Sequence, residues 1–110
     1  MAEDKEWDKI RKTKQSKLYV ALPDGTLLQG KNGIETFLMF IEEMGIERVR
    51  NLNFQYGEEN FILDYQPEDN RYRELSGWYV FTGHRGVARA KFIRAIANAL
   101  DEKVVVNWDK

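Results

Sequence analysis

The stretch Trp78–Asp101, WYVFTGHRGVARAKFIRAIANALD, decides the fold. Trp78, Tyr79, Val80, Phe81 and Thr82 are all aromatic or β-branched, which suits a half-buried strand, and Gly77 and Gly83 bound it. Helical periodicity then takes over. At 100° per residue Ala88, Phe92, Ala95, Ile96 and Ala99 gather on one side, with Ile93 and Leu100 at its edge. Lys91, Arg94 and Asn98 fall on the opposite side, so the expected unit is a strand, a glycine-bounded turn and an amphipathic helix.

This unit also carries the single histidine and a dense run of cations. Arg85 and Arg89 are four apart and share a face close to the apolar stripe. A guanidinium there must snorkel outward, pair with a carboxylate, or meet an anion. No acid occurs from Thr82 to Leu100. The Thr82-Gly83-His84-Arg85-Gly86 turn leads into the helix, where amide groups and the helix dipole favour an anion. Thr82, His84, Arg85, Arg89, Lys91 and Arg94 are therefore the candidate anion-binding set. The competing expectation is that Arg85 and Arg89 pair with Asp64 or Glu74, Thr82 caps the helix, and His84 is a loop residue.

Working outward, Lys103 to Trp108 reads as a strand centred on three valines. Before the unit, Arg71 to Ser76 extends its strand, and Pro67-Glu68-Asp69-Asn70 is a polar loop. Asn51 to Gln66 reads as a strand, a Gly57-centred turn and a second strand over Phe61 to Tyr65. Ile46 to Arg50 alternates, as a strand or a short turn of helix. A helix is expected over Ile34 to Met44, capped at Asn32 and ended by Gly45, with Met39 off its apolar stripe as an interface candidate. Leu18–Leu22 and Thr26–Gln29 form a hairpin across Pro23-Asp24-Gly25, where fixed φ, side-chain backbonding and free φ follow in order. Residues 1–16 form a charged helix or arm, acidic then basic, with Trp7 and Ile10 able to dock it.

Phe37, Ile41 and Val49 match Phe92, Ile96 and Val104 at a constant offset, which suggests a ββαβ-ββαβ pseudo-repeat. The expected fold is α+β, a two-layer sandwich with a mixed or antiparallel sheet and two helices on one face. Residues 17–110 make one domain.

Composition narrows function by exclusion. Apolar content of 43% fits a folded globule, and a net charge of −1 gives no global basic field for nucleic acid, so such binding must use a local patch. Without cysteine, and with one histidine, no thiolate metal site or zinc site is expected. The chain has no span-length apolar run and no hydrophobic signal region, so a cytoplasmic location without membrane contact is expected.

The segments LYVALPDGTLLQG, ETFLMFIEEMGIERV, GWYVFTG and KFIRAIANAL carry a likeness. Over roughly residues 17–108 the chain resembles a small, poorly characterised bacterial domain associated with DNA-handling and defence-type proteins. The shared features are Pro23-Asp24-Gly25-Thr26, Glu35-Thr36-Phe37, Trp78-Tyr79-Val80 before Thr82, and Lys91. That family is rich in Ser and Thr after the last hairpin strand, where this chain has Gly83-His84-Arg85-Gly86. The departure removes hydroxyl-based anion contacts, and none of the shared motifs is catalytic.

Walker, Rossmann and nucleophile-elbow motifs are absent, and no cofactor is expected. Gly83-x-x-Gly86 has the spacing of a KH-type clamp. Asp64, Glu74 and Glu58-Glu59 have no paired base and nucleophile, so no catalytic residue is assigned. Phe61, Tyr65, Tyr72, Trp78, Tyr79 and Phe81 suit either a core or a base-stacking platform. The leading expectation is a non-enzymatic module binding nucleic acid through Arg85, Arg89, Lys91 and Arg94, helped by His84. The alternative is a protein-interaction or homodimerisation domain using a sheet edge or an apolar patch around Met39, Trp7 or Trp108.

Overall fold

The computed structural model describes residues 17–108, and the charged helix or arm expected over 1–16 lies outside them. Strands β1 (Leu18–Ala21) and β2 (Leu27–Leu28) form the expected hairpin. Gly25 takes φ 92°, and Asp24 Oδ1 accepts the Thr26 N–H at 2.9 Å, so the turn closes as its residue types require. A strand at the far end of the chain, β8 (Val105–Trp108), pairs antiparallel with the other edge of β1. The sheet order is β2-β1-β8. Val20 stands opposite both Leu28 and Val106, and all three are buried; the alternate row, Leu27, Ala21 and Val105, faces outward.

Helix α1 (Gly33–Met44) starts and stops where its caps dictate. Asn32 Oδ1 accepts the Glu35 N–H at 2.9 Å. At the other end Gly45, φ 95°, donates to the carbonyls of Ile41 and Glu42. Thr36, Phe37, Phe40, Ile41 and Met44 are buried, and Met39 also packs partly buried against the core. Gly45 folds the chain straight into a second short helix, α2 (Ile46–Arg50), which seats Val49 in the core. The helical alternative for this segment is the one adopted.

The middle of the chain departs further from expectation. β3 (Gln55–Tyr56) and β4 (Glu59–Asn60) pair around Gly57, φ 70°. The strand expected over Phe61–Tyr65 is only β5 (Ile62–Leu63). The strand breaks between β4 and β5 at Phe61, where the side chain of Asn60, the last residue of β4, takes over: its Oδ1 accepts the Ile62 N–H at 3.0 Å while its Nδ2 donates to Arg50 O at 2.8 Å. Residues 71–76 do not prolong the following strand but fold back on it. β6 (Tyr72–Leu75) pairs with β7 (Trp78–Phe81) through Leu75 opposite Trp78. Ser76 and Gly77 between them have φ 51° and 87°, the two left-handed residues of a tight hairpin whose twist matches the strands. The order of this second sheet is β5-β7-β6.

Helix α3 (Gly86–Ala99) is present but rotated from the expected phase. Arg89, Ala90, Ile93, Ile96 and Ala97 are buried, whereas Ala88, Ala95 and Ala99 are exposed. Five alanines lie in this helix, and each offers too little apolar area to set a face, so the large Ile93 and Ile96 choose it.

The fold is α+β. One core joins residues of both three-stranded sheets and all three helices. In place of one sheet there are three small antiparallel sheets. Of the repeat matches, Ile41 and Ile96 are both fully buried and the Phe37 and Phe92 rings lie 6.0 Å apart. Val49 lies in α2 whereas Val104 precedes β8, so the third match falls on different elements. Among the described residues no helix is long and apolar enough to cross a membrane.

Candidate functional site

The six candidate residues divide between an inner and an outer group. Thr82 is buried. Its hydroxyl donates to Arg71 O at 2.6 Å and its N–H to the same carbonyl at 2.8 Å, which continues the β6–β7 ladder. It does not cap α3; the N-cap is Arg85, in extended conformation and without a side-chain cap bond. His84 is half-buried, stacked 4.6 Å from Phe92 and edge-on to Phe81 at 5.1 Å. Burial, and secondarily the Arg89 charge, lower its pKa below the ordinary histidine value.

Arg89 is only 8% exposed. Its Nη2 donates to Thr82 O at 3.0 Å and also to His84 O, so it clamps the turn ahead of its own helix. Burial lowers its pKa. Among the described residues the ion pairs within 4 Å are Arg48–Glu102 and Arg71–Asp69, so neither Asp64 nor Glu74 pairs with Arg85 or Arg89.

The outer group is Arg85, Lys91 and Arg94, all exposed. Arg94 Nη2 donates to Val106 O at 2.9 Å, which holds this guanidinium along β8. The rotation of α3 exposes Ala88, Ala95 and Ala99, with Val87 at 48% exposure. The outer face of α3 thus carries cations among small side chains, and its first turn holds no acid. Residues 86–99 include no carboxylate, and the alanines beside the cations leave room for a negatively charged surface to approach. The periodicity already placed Lys91, Arg94 and Asn98 outward, as they are; counting alanines as core residues hid only that Ala88, Ala95 and Ala99 join them. Weighting Ile93, Ile96 and Leu100 by area would have found it.

No family model, curated protein or solved structure matches this chain. The chemistry of its surfaces must carry the assignment.

Other sequence features have structural uses. A Cβ on Gly83 would collide with the Phe81 ring, and one on Gly86 would lie 2.6 Å from Trp108 Cζ2, so both glycines of the GxxG spacing permit close packing. Trp108 accordingly packs against the core instead of forming a free patch. Phe61 and Phe81 are buried and Tyr65 donates to Glu59 Oε1 at 2.5 Å, so the aromatic residues do not line up as one open platform. Acidic residues gather around the 66–70 loop, where Glu58, Glu59, Glu68 and Asp69 line a cleft of about 490 Å³. Asp69 there is held below the usual carboxylate range by hydrogen bonds from Arg71.

Proposed function

We propose that the chain is a non-enzymatic, cytoplasmic binding module that contacts nucleic acid through the outer face of α3. The observation that carries this is that Lys91 and Arg94 are exposed on one side of α3, with Arg85 exposed at its N-cap, on a helix with no carboxylate and three outward alanines. Arg85 and Lys91 are free to meet phosphates, and Arg94 is pre-positioned by Val106 O. Arg89 and Thr82 serve from inside by holding the turn that presents Arg85. In the same proposal α1 and α3 form one layer over the sheets, two ββαβ halves make a two-layer sandwich, and the far side of α3 is left to the partner. The resemblance to a DNA-handling bacterial domain favours the same class of partner.

Such contacts position a backbone and do not read bases, so binding is micromolar, weakly sequence-specific and salt-dependent. Three phosphate contacts on duplex DNA give a log–log salt slope of about −2.7, at about −0.9 per contact. Fluorescence anisotropy with labelled single- and double-stranded DNA and RNA at several salt concentrations tests this. The Arg85→Ala/Lys91→Ala double variant is expected to weaken binding and flatten the slope by about two units. Absence of binding at low salt refutes the proposal.

A second reading rests on the outward row of the first sheet. Leu27, Ala21 and Val105 are cross-strand neighbours, Leu27 is 52% and Val105 63% exposed, and β8 is an edge strand. This row suits a protein partner or a second copy better than the Met39 or Trp108 patches, which are packed. Under this reading sedimentation shows salt-resistant self-association that Val105→Lys abolishes.

A further inference from the structure

The two three-stranded sheets treat their edge strands differently. In an antiparallel ladder, opposed residues alternate between hydrogen-bonded pairs and pairs whose N–H and C=O turn away from the partner. Leu22 N–H bonds to Thr26 O, which turns Leu22 and Val20 toward β2 and leaves Val106, opposite Val20, facing away from β1. Arg94 Nη2 takes that Val106 carbonyl at 2.9 Å. On β5, Phe61 faces β7 through its bond from Phe81 N–H, so Ile62 faces outward. Asn60 Oδ1 takes the Ile62 N–H at 3.0 Å and Arg50 Nε takes its carbonyl at 3.1 Å. A guanidinium thus sits on the free edge of both β8 and β5, where an added strand would have to bond.

β2 has only two residues, but β6 has four and its edge is open. Thr82 N–H bonds to Arg71 O, so Arg71, Arg73 and Leu75 face β7 while Tyr72 and Glu74 face outward. The Tyr72 N–H is taken by Asp69 O at 3.3 Å; Tyr72 O, Glu74 N–H and Glu74 O have no partner among the described residues. A cleft of about 490 Å³ lies along this edge, lined by Tyr72, Glu74 and Tyr79 and walled by Pro67, Glu68 and Asp69. Tyr72, Glu74 and Tyr79 share one face of the sheet, since Glu74 stands opposite Tyr79; Arg73, which also lines the cleft, belongs to the alternate row, opposite buried Val80. Asp69 is neutralised by Arg71 at 2.7 Å, whereas Glu68 and Glu74 are exposed and lie in no ion pair among the described residues.

We propose that β6 accepts an extended segment of a partner protein as an added strand, with lysine or arginine side chains facing Glu74 and Glu68 in the cleft. Main-chain bonds to Tyr72 O and to both backbone groups of Glu74 supply affinity, and the alternate side chains of the segment supply selectivity. The aliphatic stem of a lysine or arginine lies along the Tyr72 and Tyr79 rings while its head reaches the carboxylates. A second copy is a poor occupant of its own kind of edge, because its β6 brings the same uncompensated glutamates to the cleft. No residue of this edge belongs to α3 or to the first sheet, so the edge works whether or not those surfaces bind.

The test is titration of the whole 110-residue chain with an end-blocked hexapeptide in which lysine alternates with valine, read by amide NMR and hydrogen exchange. Saturable shifts centred on Glu74 and new protection of its N–H are expected. N-methylation of the peptide at alternate residues abolishes both in one of its two registers, which removes the strand pairing without touching the protein. The same peptide with glutamate in place of lysine is expected to bind about tenfold more weakly or worse, since it sets like charges together. Glu74→Gln keeps the backbone and removes the charge, so affinity for the lysine peptide falls about two- to fivefold, the range of one exposed ion pair, while the residue 74 amide stays protected in the bound form. No change at Glu74 with millimolar peptide overturns the proposal, as does equal binding of the glutamate peptide. Protection of the Glu74 N–H already present in the peptide-free chain shows the edge to be filled by this chain or a second copy, and overturns it too.

Discussion

Replacing Thr36 with valine tests whether a single hydroxyl organises the entry to α1. Thr36 is fully buried. Its Oγ1 accepts the Gly30 N–H at 2.8 Å and donates to Asn32 O at 3.1 Å. Valine keeps the β-branched shape, so packing is nearly unchanged, but the Gly30 amide loses its acceptor in a buried place. An orphaned buried donor costs about 1–3 kcal/mol. The added buried methyl returns about 0.8 kcal/mol. Asn32 O still accepts the Thr36 backbone N–H at 3.0 Å and adds little to the balance. The net expectation is a loss of about 0.2–2 kcal/mol, or about 1–8 °C in Tm at about 4 °C per kcal/mol for a domain of this size. Urea unfolding measures the first figure and calorimetry the second. Hydrogen exchange at the Gly30 amide locates the effect: protection is lost in Thr36→Val and kept in Thr36→Ser, which retains the hydroxyl and sacrifices only a methyl. A Thr36→Val protein as stable as the parent, with Gly30 still protected, refutes the assignment.

Two further outcomes follow from single residues. Ser76 occupies φ 51° in the β6–β7 turn, so Ser76→Asn, which tolerates left-handed backbone and suits this turn type, is expected to stabilise by about 0.5–1 kcal/mol in urea titration; a destabilised variant contradicts the turn assignment. His84 has its folded pKa depressed, so the unfolded chain binds the proton more readily and stability falls as pH drops below about 6.5 toward the folded pKa, then levels. This contribution is fully present above pH 6.5, the ordinary histidine value. Asp69, also depressed, acts in a separate window below the ordinary carboxylate pKa of 3.8, so the two are resolved by pH. Equilibrium unfolding between pH 5 and pH 7.5 is expected to show the slope in the parent and not in His84→Phe, given about 1.4 kcal/mol per pKa unit of difference.

What was legible in the sequence was the local chemistry. Pro23-Asp24-Gly25 dictated a turn because each residue answers one backbone requirement within four positions, and Asn32 and Gly45 delimited α1 because a cap needs only its own first or last turn. The cations of α3 and the absence of acids between Thr82 and Leu100 were likewise plain. Tertiary structure alone decided the rest. A helix with five alanines has no strong apolar side, and the phase of α3 was set by where Ile93 and Ile96 found the core. That choice turned Arg89 inward and three alanines outward, dividing the basic residues between a buried clamp and an exposed face. The pairing of β1 with β8 joins the two ends of the described chain, and Gly33 meets Arg89 from another helix altogether. Contacts between residues so distant along the chain leave no local pattern, because they are chosen by the burial of apolar area summed over the whole fold.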